Sequence, residues 1–502
     1  MTDVVSVEPR TGGTVEVVAP ETTPAEVDAR CAAAAAAAPG LEALGRDGRA
    51  DLLDTLADAL EARRTDVVGV ADRETALGQA RLDGELTRTC FQLRLFGEVL
   101  REGSYVEATV DHAGDTPMGP RPDLRRMLVP LGPVAVFGAS NFPLAFSVPG
   151  GDTAAALAAG CPVVVKAHGS HPATSALVAE ILAAAASQAG APDGTIGLVH
   201  GLAAGAALVA APQIRAVGFT GSPTGATALM EIIDRRPEPI PFFGELAGLN
   251  PVVVTPAAAA ERGADLGAGL VGSFTLGGGQ FCTKPGLTLL PSGRDGDAVL
   301  DAMAVAVREA PAPVLLNEGI AGSYRSISAR LRALPGVSTV AEGAPAETTD
   351  GFTATPLLLA ADGLHDGLTD ECFGPLGVVV RYDGEAALSC LLAELPSSLT
   401  ATVLRGAGET ELPGAVADTL RPRAGRILFD AFPTGVAVSW AQTHGGPWPS
   451  TNTQHTSVGP TAIRRFLRPV TWQDAPAELL PPELAEGPAG LPRRIDGRLV
   501  LP

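Results

Sequence analysis

The sequence is 502 residues long, with 46% hydrophobic and 18% charged residues, which predicts a folded protein of about two to four domains. Its formal net charge of −20 argues against a nucleic-acid binder, because no basic surface is present to neutralise phosphates. The chain shows neither a secretory signal nor an apolar run long enough to span a membrane, and its six cysteines lack any Cys-x-x-Cys spacing. We therefore expect a cytoplasmic protein with reduced thiols and no membrane partner.

The N-terminal region is predicted to be mainly helical. Residues 1–20 indicate an arm or an edge strand, whereas apolar residues recur at helical spacing from Thr23 to about Val70 and again over 72–104. The second helical stretch carries three arginines at spacings of seven and six residues, which we expect near one face: Arg81, Arg88 and Arg94. A solvated, salt-bridging face is one interpretation of these arginines, and a site for a substrate carboxylate is the other.

Beyond a linker or protruding hairpin at 111–127, which is rich in Pro and Gly, short apolar strands alternate with helices. This alternation favours a parallel sheet covered by helices on both faces, which binds ligands at the carboxyl ends of its strands. The strands are expected at 132–138, 161–166, 196–200 and 214–220.

Two features lie at that predicted ligand-binding edge. Gly221 and Ser222 follow a strand and open a helix, so the amides of this turn are suited to a pyrophosphate. Lys166 ends another strand, where it either binds ribose or phosphate oxygens or caps the strand in solvent. Residues 267–272 match the Gly-x-Gly-x-x-Gly pattern, but helix formers at 257–266 precede them, so we predict close helix packing there and no phosphate loop.

Cys282 lies on a glycine-rich turn, Gly277-Gly-Gly-Gln-Phe-Cys282-Thr-Lys-Pro-Gly286. Three consecutive glycines do not hold a helix, and a thiol on a turn is accessible to substrate and base, as a nucleophile must be. A small residue packed under a loop is the alternative interpretation. Among the histidines only His168 and His171 are close in sequence, without neighbouring Cys or carboxylate partners, so no metal site is predicted.

Six motifs, taken in order, resemble the aldehyde dehydrogenase superfamily over nearly the whole chain. They are Gly-Pro-Val-Ala-Val-Phe-Gly-Ala-Ser-Asn141-Phe-Pro, Pro-Val-Val-Val-Lys166, Phe-Thr-Gly221-Ser222-x-x-Gly225, Phe-Gly-Glu245-Leu-x-Gly-x-Asn-Pro, Gly-Gln-Phe-Cys282 and Glu371-x-Phe-Gly-Pro. The resemblance implies an α/β fold with a Rossmann-like, parallel-sheet cofactor domain, an α/β catalytic domain and a small oligomerisation hairpin. The implied divisions are 1–110 with 126–243, then 244–435, and finally 111–125 with 436–502. A homodimer or homotetramer is implied as well.

The same resemblance implies NAD(P)-dependent oxidation of an aldehyde to a carboxylate. Cys282 would attack the aldehyde carbon, while the Asn141 amide and the Cys282 N–H would hold the oxyanion. Hydride transfer would leave a thioester, and Glu245 would activate the water that hydrolyses it. The implied cofactor residues are Lys166, Gly221, Ser222, Gly225, Glu371 and Phe373. An inactive scaffold with the same fold is disfavoured because Cys282, Glu245 and Asn141 are all present.

Two positions depart from the superfamily pattern. Gly169 stands where NAD-preferring members commonly have a Glu that binds the adenosine ribose, so repulsion toward a 2′-phosphate is removed. We therefore expect NADP or NAD, with NADP favoured and with His168, Gly169 and Ser170 at that ribose. Ala247 replaces a common Gly at a packed turn, which we expect to be tolerated.

Within the superfamily, segments such as Asn141-Phe-Pro-Leu-Ala-Phe-Ser-Val-Pro-Gly-Gly-Asp152 and His444-Gly-Gly-Pro-Trp-Pro resemble the α-ketoglutaric semialdehyde dehydrogenase branch. That resemblance implies a substrate with a carboxylate, which Arg88, Arg94 or another buried Arg would bind beside Phe142. NADP-linked fatty or broad-specificity aldehyde dehydrogenases share much of this sequence, and they would require a wholly apolar pocket instead.

Overall fold

The computed structural model describes residues 2–246, 248–346, 350–365 and 367–502, so that Ala247 lies outside the described residues. It is an α/β protein built on two large parallel sheets covered by helices, which confirms the predicted fold class. Within the described part of the chain, no helix combines the length and apolar character needed to cross a bilayer.

The N-terminal region is an antiparallel hairpin followed by consecutive helices: β1 (Asp3–Glu8), β2 (Gly13–Pro20), α1 (Pro24–Ala43), α2 (Gly45–Ala62), α3 (Arg64–Thr75) and α4 (Gln79–Glu102). Thr23 begins α1 with a capping box that Glu26 completes, as its position before an apolar helix favours. The helix expected from Thr23 to Val70 is thus divided at Gly45, whose φ of +69° few other residues adopt, and again at Arg63.

The predicted linker contains short strands, and the first parallel sheet with its helices follows. The elements are β3 (Thr109–Asp111), β4 (Gly114–Thr116), β5 (Gly119–Arg121), β6 (Leu124–Pro130), β7 (Val134–Phe137), α5 (Gly151–Ala159), β8 (Val163–Lys166), α6 (Pro172–Gln188), β9 (Ile196–Val199), α7 (Leu202–Ala210), β10 (Ala216–Thr220), α8 (Pro223–Asp234) and β11 (Phe242–Glu245). The sheet order is β11-β10-β7-β8-β9, and every pair is parallel. Glu245 ends β11 beside Thr220, so it projects from the same edge as Lys166.

The second large sheet and the helices around it follow. The elements are β12 (Val252–Val254), α9 (Pro256–Thr275), β13 (Leu287–Pro291), α10 (Arg294–Glu309), α11 (Glu318–Arg332), β14 (Val337–Glu342), β15 (Leu357–Ala361), β16 (Leu376–Tyr382), α12 (Gly384–Glu394), β17 (Ser398–Leu404), α13 (Glu411–Leu420) and β18 (Ala424–Phe429). The order of this sheet is β14-β15-β16-β13-β12-β17-β18, with only β14 antiparallel to its neighbour among the described pairings. Residues 267–272 lie inside α9, where a Cβ on Gly267 would come within 2.6 Å of the Ala302 Cβ on α10. Close helix packing, and no phosphate loop, is confirmed there.

The C-terminal strands β19 (Leu467–Gln473), β20 (Arg493–Ile495) and β21 (Arg498–Val500) return to the linker strands and form a sheet in the order β19-β6-β3-β20-β21. The β4–β5 hairpin projects beside it, and its tip residue Met118 is 97% exposed. The segments 111–125 and 436–502, widely separated in sequence, therefore meet in space.

Candidate active site

The glycine-rich turn after α9 positions Cys282. Gly277, Gly278 and Gly279 all have positive φ values, of 58°, 71° and 69°, so the helix ends there as the sequence predicted. A Cβ on Gly279 would lie 2.1 Å from the carbonyl oxygen of Gly374, which means that only glycine lets the turn pack against the loop before β16. Cys282 emerges from this turn partly exposed.

Asn141, on the loop after β7, contacts the same turn. Its side-chain Nδ2 donates a hydrogen bond of 2.8 Å to the carbonyl oxygen of Gln280, and the residue is buried. Asn250 supports the turn from the other side, because its Nδ2 donates to the carbonyl oxygens of Cys282 and Lys284. The predicted amide thus lies beside the predicted nucleophile.

Glu245 reaches the thiol through a histidine that the sequence reasoning did not identify. His444 Nε2 lies 2.6 Å from Glu245 Oε1 and 3.5 Å from Cys282 Sγ, and the Ser457 hydroxyl donates to Glu245 Oε2. The His444-Gly-Gly-Pro segment does not by itself indicate a catalytic role, because no sequence spacing connects position 444 to position 245.

The charges at this cluster determine where its protons lie. Burial acts to raise the pKa of Glu245, but the charge of His444 and hydrogen bonds from His444 and Ser457 outweigh it and lower that pKa. Glu245 is therefore an ionised acceptor, and His444 Nε2 carries the proton between them. Burial and the charge of Glu245 raise the pKa of the Cys282 thiol well above its usual value. In the free protein Cys282 is thus a thiol, and attack by its sulfur requires a base to take the proton.

Arg88, on α4, faces this cluster. Its side chain is half-buried with both terminal nitrogens inaccessible to solvent, its guanidinium lies 5.0 Å from the ring centroid of Phe146, and neither terminal nitrogen has a hydrogen-bond partner among the described residues. Burial lowers its pKa, while the charges of Glu85, Cys282 and Glu245 act to raise it. Phe146 in turn packs against His444 at a centroid distance of 6.3 Å, so Arg88 is connected to the thiol by direct contacts.

The expectation that Arg94 shares this face is corrected by the structure. Arg94 is exposed on the outside of α4, where it pairs with Asp58 at 2.7 Å. A helix turns about 100° per residue, so Arg88 lies about 20° from Arg81 but Arg94 lies about 120° from Arg88. Arg81 does share the inner face, where it donates to the carbonyl oxygen of Asn141 and stacks on Phe142 and Phe281.

A cavity of ≈ 340 Å³ opens at the ends of β8 and β9. Its lining includes the predicted Lys166, His168, Gly169 and Ser170, together with His200 and Asn317, which the sequence reasoning missed. Asn317 Nδ2 donates a hydrogen bond of 2.6 Å to Ser170 Oγ, which fixes that hydroxyl at the cavity wall. A Cβ on Gly169 would meet nothing within 4 Å, so there is open space at the position of the absent carboxylate. The ammonium, hydroxyl and amide groups in this lining could hydrogen-bond a nucleotide ribose.

Burial lowers the pKa of His168 well below its usual value, so its ring is neutral at this cavity. Burial also lowers the pKa of Lys166, and the charge of Glu21 acts in the opposite direction. Glu21 accepts a hydrogen bond from the Ala203 amide at the start of α7, which places a carboxylate near the Lys166 ammonium. The cavity is therefore bordered by a cation, Lys166, and also by an anion, Glu21.

Two backbone amides in the turn at the start of α8 already donate hydrogen bonds within the protein. The Gly221 amide donates to the Glu245 carbonyl oxygen, and Ser222 Oγ accepts from the Gly225 amide as a helix cap. A pyrophosphate at this turn would therefore be held by its remaining amides and by the positive end of the α8 dipole.

Glu371 and Phe373 lie on the partly exposed loop that packs against the Cys282 turn. Burial raises the pKa of Glu371 to about 7, against the opposing effects of Lys284 and the Gly248 amide. Lys284 was not predicted; its buried Nζ donates to the carbonyl oxygens of Cys372 and Leu376, at 2.8 and 2.9 Å. It fastens this loop to the nucleophile's turn.

Comparison with known proteins adds a family and relatives to this geometry. The model of the aldehyde dehydrogenase family matches residues 2–407. Alpha-ketoglutaric semialdehyde dehydrogenase 2 of Azospirillum brasilense is 45% identical over 482 residues, 94% of this chain and 92% of that protein. Alpha-ketoglutaric semialdehyde dehydrogenase of Acinetobacter baylyi is 45% identical over 461 residues, 90% of this chain and 87% of that protein.

Solved structures agree on the fold. A Pseudomonas syringae aldehyde dehydrogenase in complex with NAD+ and octanal superposes with a TM-score of 0.79 at 21% identity, covering 95% of each chain. The NAD+ complex of a Bacillus cereus aldehyde dehydrogenase gives 0.77 at 22% identity, covering 94% of this chain and 93% of that one.

Proposed function

Because this chain belongs to the aldehyde dehydrogenase family, it is an NAD(P)-dependent oxidoreductase of aldehydes, and we propose that its substrate is α-ketoglutaric semialdehyde (2,5-dioxopentanoate). Its product would then be 2-oxoglutarate. The names of the two relatives with 45% identity support this substrate. The family resemblance noted from the sequence motifs is confirmed.

The observation that carries the substrate proposal is Arg88. A buried guanidinium without a hydrogen-bond partner among the described residues is costly, unless a ligand supplies the missing acceptors. The dioxo acid ends in a carboxylate, which suits the two free guanidinium nitrogens of Arg88. Because Arg88 lies across Phe146 from His444, the carboxylate end would be held there while the aldehyde end meets Cys282.

In the first chemical step, Cys282 Sγ forms a bond to the aldehyde carbon. The proton on His444 Nε2 passes to Glu245 Oε1 across the 2.6 Å contact, and the lone pair that this frees on Nε2 takes the Cys282 proton. The Asn141 side-chain amide and the Cys282 backbone amide donate to the developing oxyanion. Lys166, Ser170 and Glu371 would hold NAD(P), which would supply the hydride acceptor, and Cys282 would then carry the acyl group as a thioester.

In the second step, water hydrolyses the thioester. Glu245, after releasing its first proton to solvent, takes a proton from the attacking water, and Ser457 keeps its carboxylate oriented. The C–S bond breaks, Cys282 takes from Glu245 the proton that came from water, and the product leaves as a carboxylate with its remaining proton released to solvent. Glu245 thus serves both steps, and His444 serves the first.

For the cofactor, we assign the adenosine ribose to the cavity at Lys166, His168, Gly169 and Ser170, and the second ribose to Glu371 and Phe373. NADP is favoured because the open space at Gly169 can take a 2′-phosphate, although Glu21 opposes that preference. The family and the NAD+ complexes of its structural relatives support the use of either cofactor.

One observation favours a second candidate, a long-chain or broad-specificity aldehyde. Phe142, Phe146 and Phe281 form an aromatic cluster beside Cys282, with neighbouring ring centroids 5.3 Å apart. Such a wall would accept an alkyl chain as readily as a short dioxo acid.

We also propose a cytoplasmic homodimer or homotetramer. The projecting β4–β5 hairpin and the C-terminal strands support this assignment, since Met118 and Leu499 expose apolar side chains there. Light scattering on the intact chain and on Met118→Glu tests it; a monomeric intact chain would contradict the proposal.

The experiment that tests the substrate is steady-state NAD(P)H production from the dioxo acid and from decanal, with each cofactor. The proposal expects kcat/KM for the dioxo acid to be higher by at least ~100-fold, about 2.7 kcal/mol of discrimination. A higher value for decanal would refute it and favour the second candidate.

A further inference from the structure

The fold brings three metal-ligating groups together from distant parts of the chain. The ligand atoms of Glu245, Cys282 and His444 all lie within 4.8 Å of one another. The sequence pointed away from a metal, because the closely spaced pair His168 and His171 has no cysteine or carboxylate near it along the chain. The cluster arises only when β11, the Cys282 turn and the loop at residue 444 meet.

We propose that this cluster binds a thiophilic divalent cation of the Zn²⁺ class in the enzyme without substrate, and that the bound cation blocks the nucleophile. Thiolate, imidazole and carboxylate are the groups that bind zinc in proteins. With one ligand oxygen from Glu245, the two anionic groups balance the charge of a dication, which reduces the cost of holding it in a buried site. Blocking rests on the role proposed above for Cys282, whereas binding rests on the geometry alone.

The distances fit a tetrahedral site with a small adjustment. Zinc bonds of about 2.3 Å to sulfur and about 2.0 Å to nitrogen place those two ligand atoms about 3.5 Å apart. The observed separation between Cys282 Sγ and His444 Nε2 is 3.5 Å. His444 Nε2 and Glu245 Oε1, now 2.6 Å apart, would have to separate by somewhat less than an ångström. Because Cys282 is partly exposed, we expect the cation and a water ligand to approach from the thiol side.

The surroundings predict reversible binding. Ser457 orients the Glu245 carboxylate, and the His444 backbone amide is held by Thr456 Oγ. His444 Nδ1, however, has no hydrogen-bond partner among the described residues, whereas a strongly bound metal usually has its histidine oriented through that nitrogen. We therefore expect an inhibitory site that exchanges its cation, not a permanent structural one. Mg²⁺ and Ca²⁺, which prefer oxygen ligands, should not bind.

Cobalt(II) is the probe, because a cobalt–thiolate bond absorbs in the near ultraviolet and tetrahedral cobalt absorbs strongly in the visible. The full-length enzyme, freed of metals with a chelator, should show both bands with one equivalent of Co²⁺, and Zn²⁺ should abolish them. Cys282→Ser should lose the near-ultraviolet band. His444→Asn and His444→Gln should each weaken binding at least tenfold, with folding verified by circular dichroism and cofactor binding.

Cys390→Ser is the matched control, because Cys390 is an exposed thiol far along the chain on α12. It should leave the spectrum unchanged. The site is refuted if no thiolate band forms, if the band survives Cys282→Ser, or if Cys390→Ser removes it. Kinetic measurements separate binding of the cation from blocking of the nucleophile. If the bound cation blocks Cys282, Zn²⁺ should inhibit competitively with the aldehyde. Bound metal with full activity would instead refute the nucleophilic role of Cys282.

Discussion

Replacing Arg88 with Met tests the assignment of the substrate carboxylate. Methionine keeps an unbranched apolar stem against Phe146 but removes the charge that lies 5.0 Å from that ring. Removing one partner of a desolvated charge pair costs on the order of 2–5 kcal/mol. Because the terminal nitrogens of Arg88 are buried and unpaired among the described residues, we expect about 2–4 kcal/mol, a decrease of roughly 30- to 1000-fold in kcat/KM for the dioxo acid.

The assay compares two aldehydes and two arginines on the same helix. Arg88→Met should change kcat/KM for decanal by less than about threefold, since an alkyl chain makes no ion pair. Arg94→Met is the matched control: Arg94 forms an exposed pair with Asp58, which typically contributes about 0–1 kcal/mol, so both activities should persist.

Two results would refute the reasoning. Equal losses on both aldehydes in Arg88→Met would show that Arg88 supports the fold of the pocket and does not recognise a carboxylate. Full activity on the dioxo acid would show that another group binds the carboxylate, with Arg81 the next candidate.

Three further predictions concern the proton path, the cofactor and the loop. His444→Asn removes the group between thiol and Glu245, so kcat should fall by about 10²–10⁴-fold with cofactor affinity preserved; a pre-steady-state burst of NAD(P)H at the normal rate would contradict its role in the first step. Gly169→Glu fills open space with a carboxylate, so the ratio of kcat/KM for NADP over NAD should fall at least tenfold; an unchanged ratio would place the adenosine ribose elsewhere. Burial raises the pKa of Glu371 to about 7 from an ordinary value of 4.5. The contribution of its protonated form to stability is therefore fully present below pH 4.5 and is lost as the pH rises through about 7. The cofactor-free enzyme should therefore lose more thermal stability between pH 5 and pH 8 than Glu371→Gln does, and parallel Tm profiles would contradict this.

The parallel sheet and the nucleophile's turn were predictable because their signals are local. Apolar runs such as Val163–Lys166, bounded by turns, and the triple glycine before Cys282 specify their own backbone conformations. The rotation of α4 was predictable too, but only by counting degrees, since six residues turn Arg94 away from the face that Arg88 occupies.

Contacts between segments that are distant in the sequence could not be predicted. His444 meets Glu245 across 199 residues, and Lys284 reaches the loop at Cys372 across 88. Neither residue has a fixed sequence spacing to its partner, because the chain between the two folds into helices and strands that do not depend on this contact. The implied division at residue 244 groups Glu245 with the catalytic domain, whereas the structure places it on β11, an edge strand of the first sheet.

Capture of the acyl enzyme tests most directly whether Cys282 carries the acyl group and whether Glu245 directs its hydrolysis. Glu245→Gln should still accept an aldehyde but hydrolyse the thioester slowly, so a single turnover with the dioxo acid and cofactor can be quenched in acid and analysed by mass spectrometry. We expect a stoichiometric acyl adduct on the peptide that contains Cys282. An adduct on another residue, or NAD(P)H formed without any adduct, would contradict it.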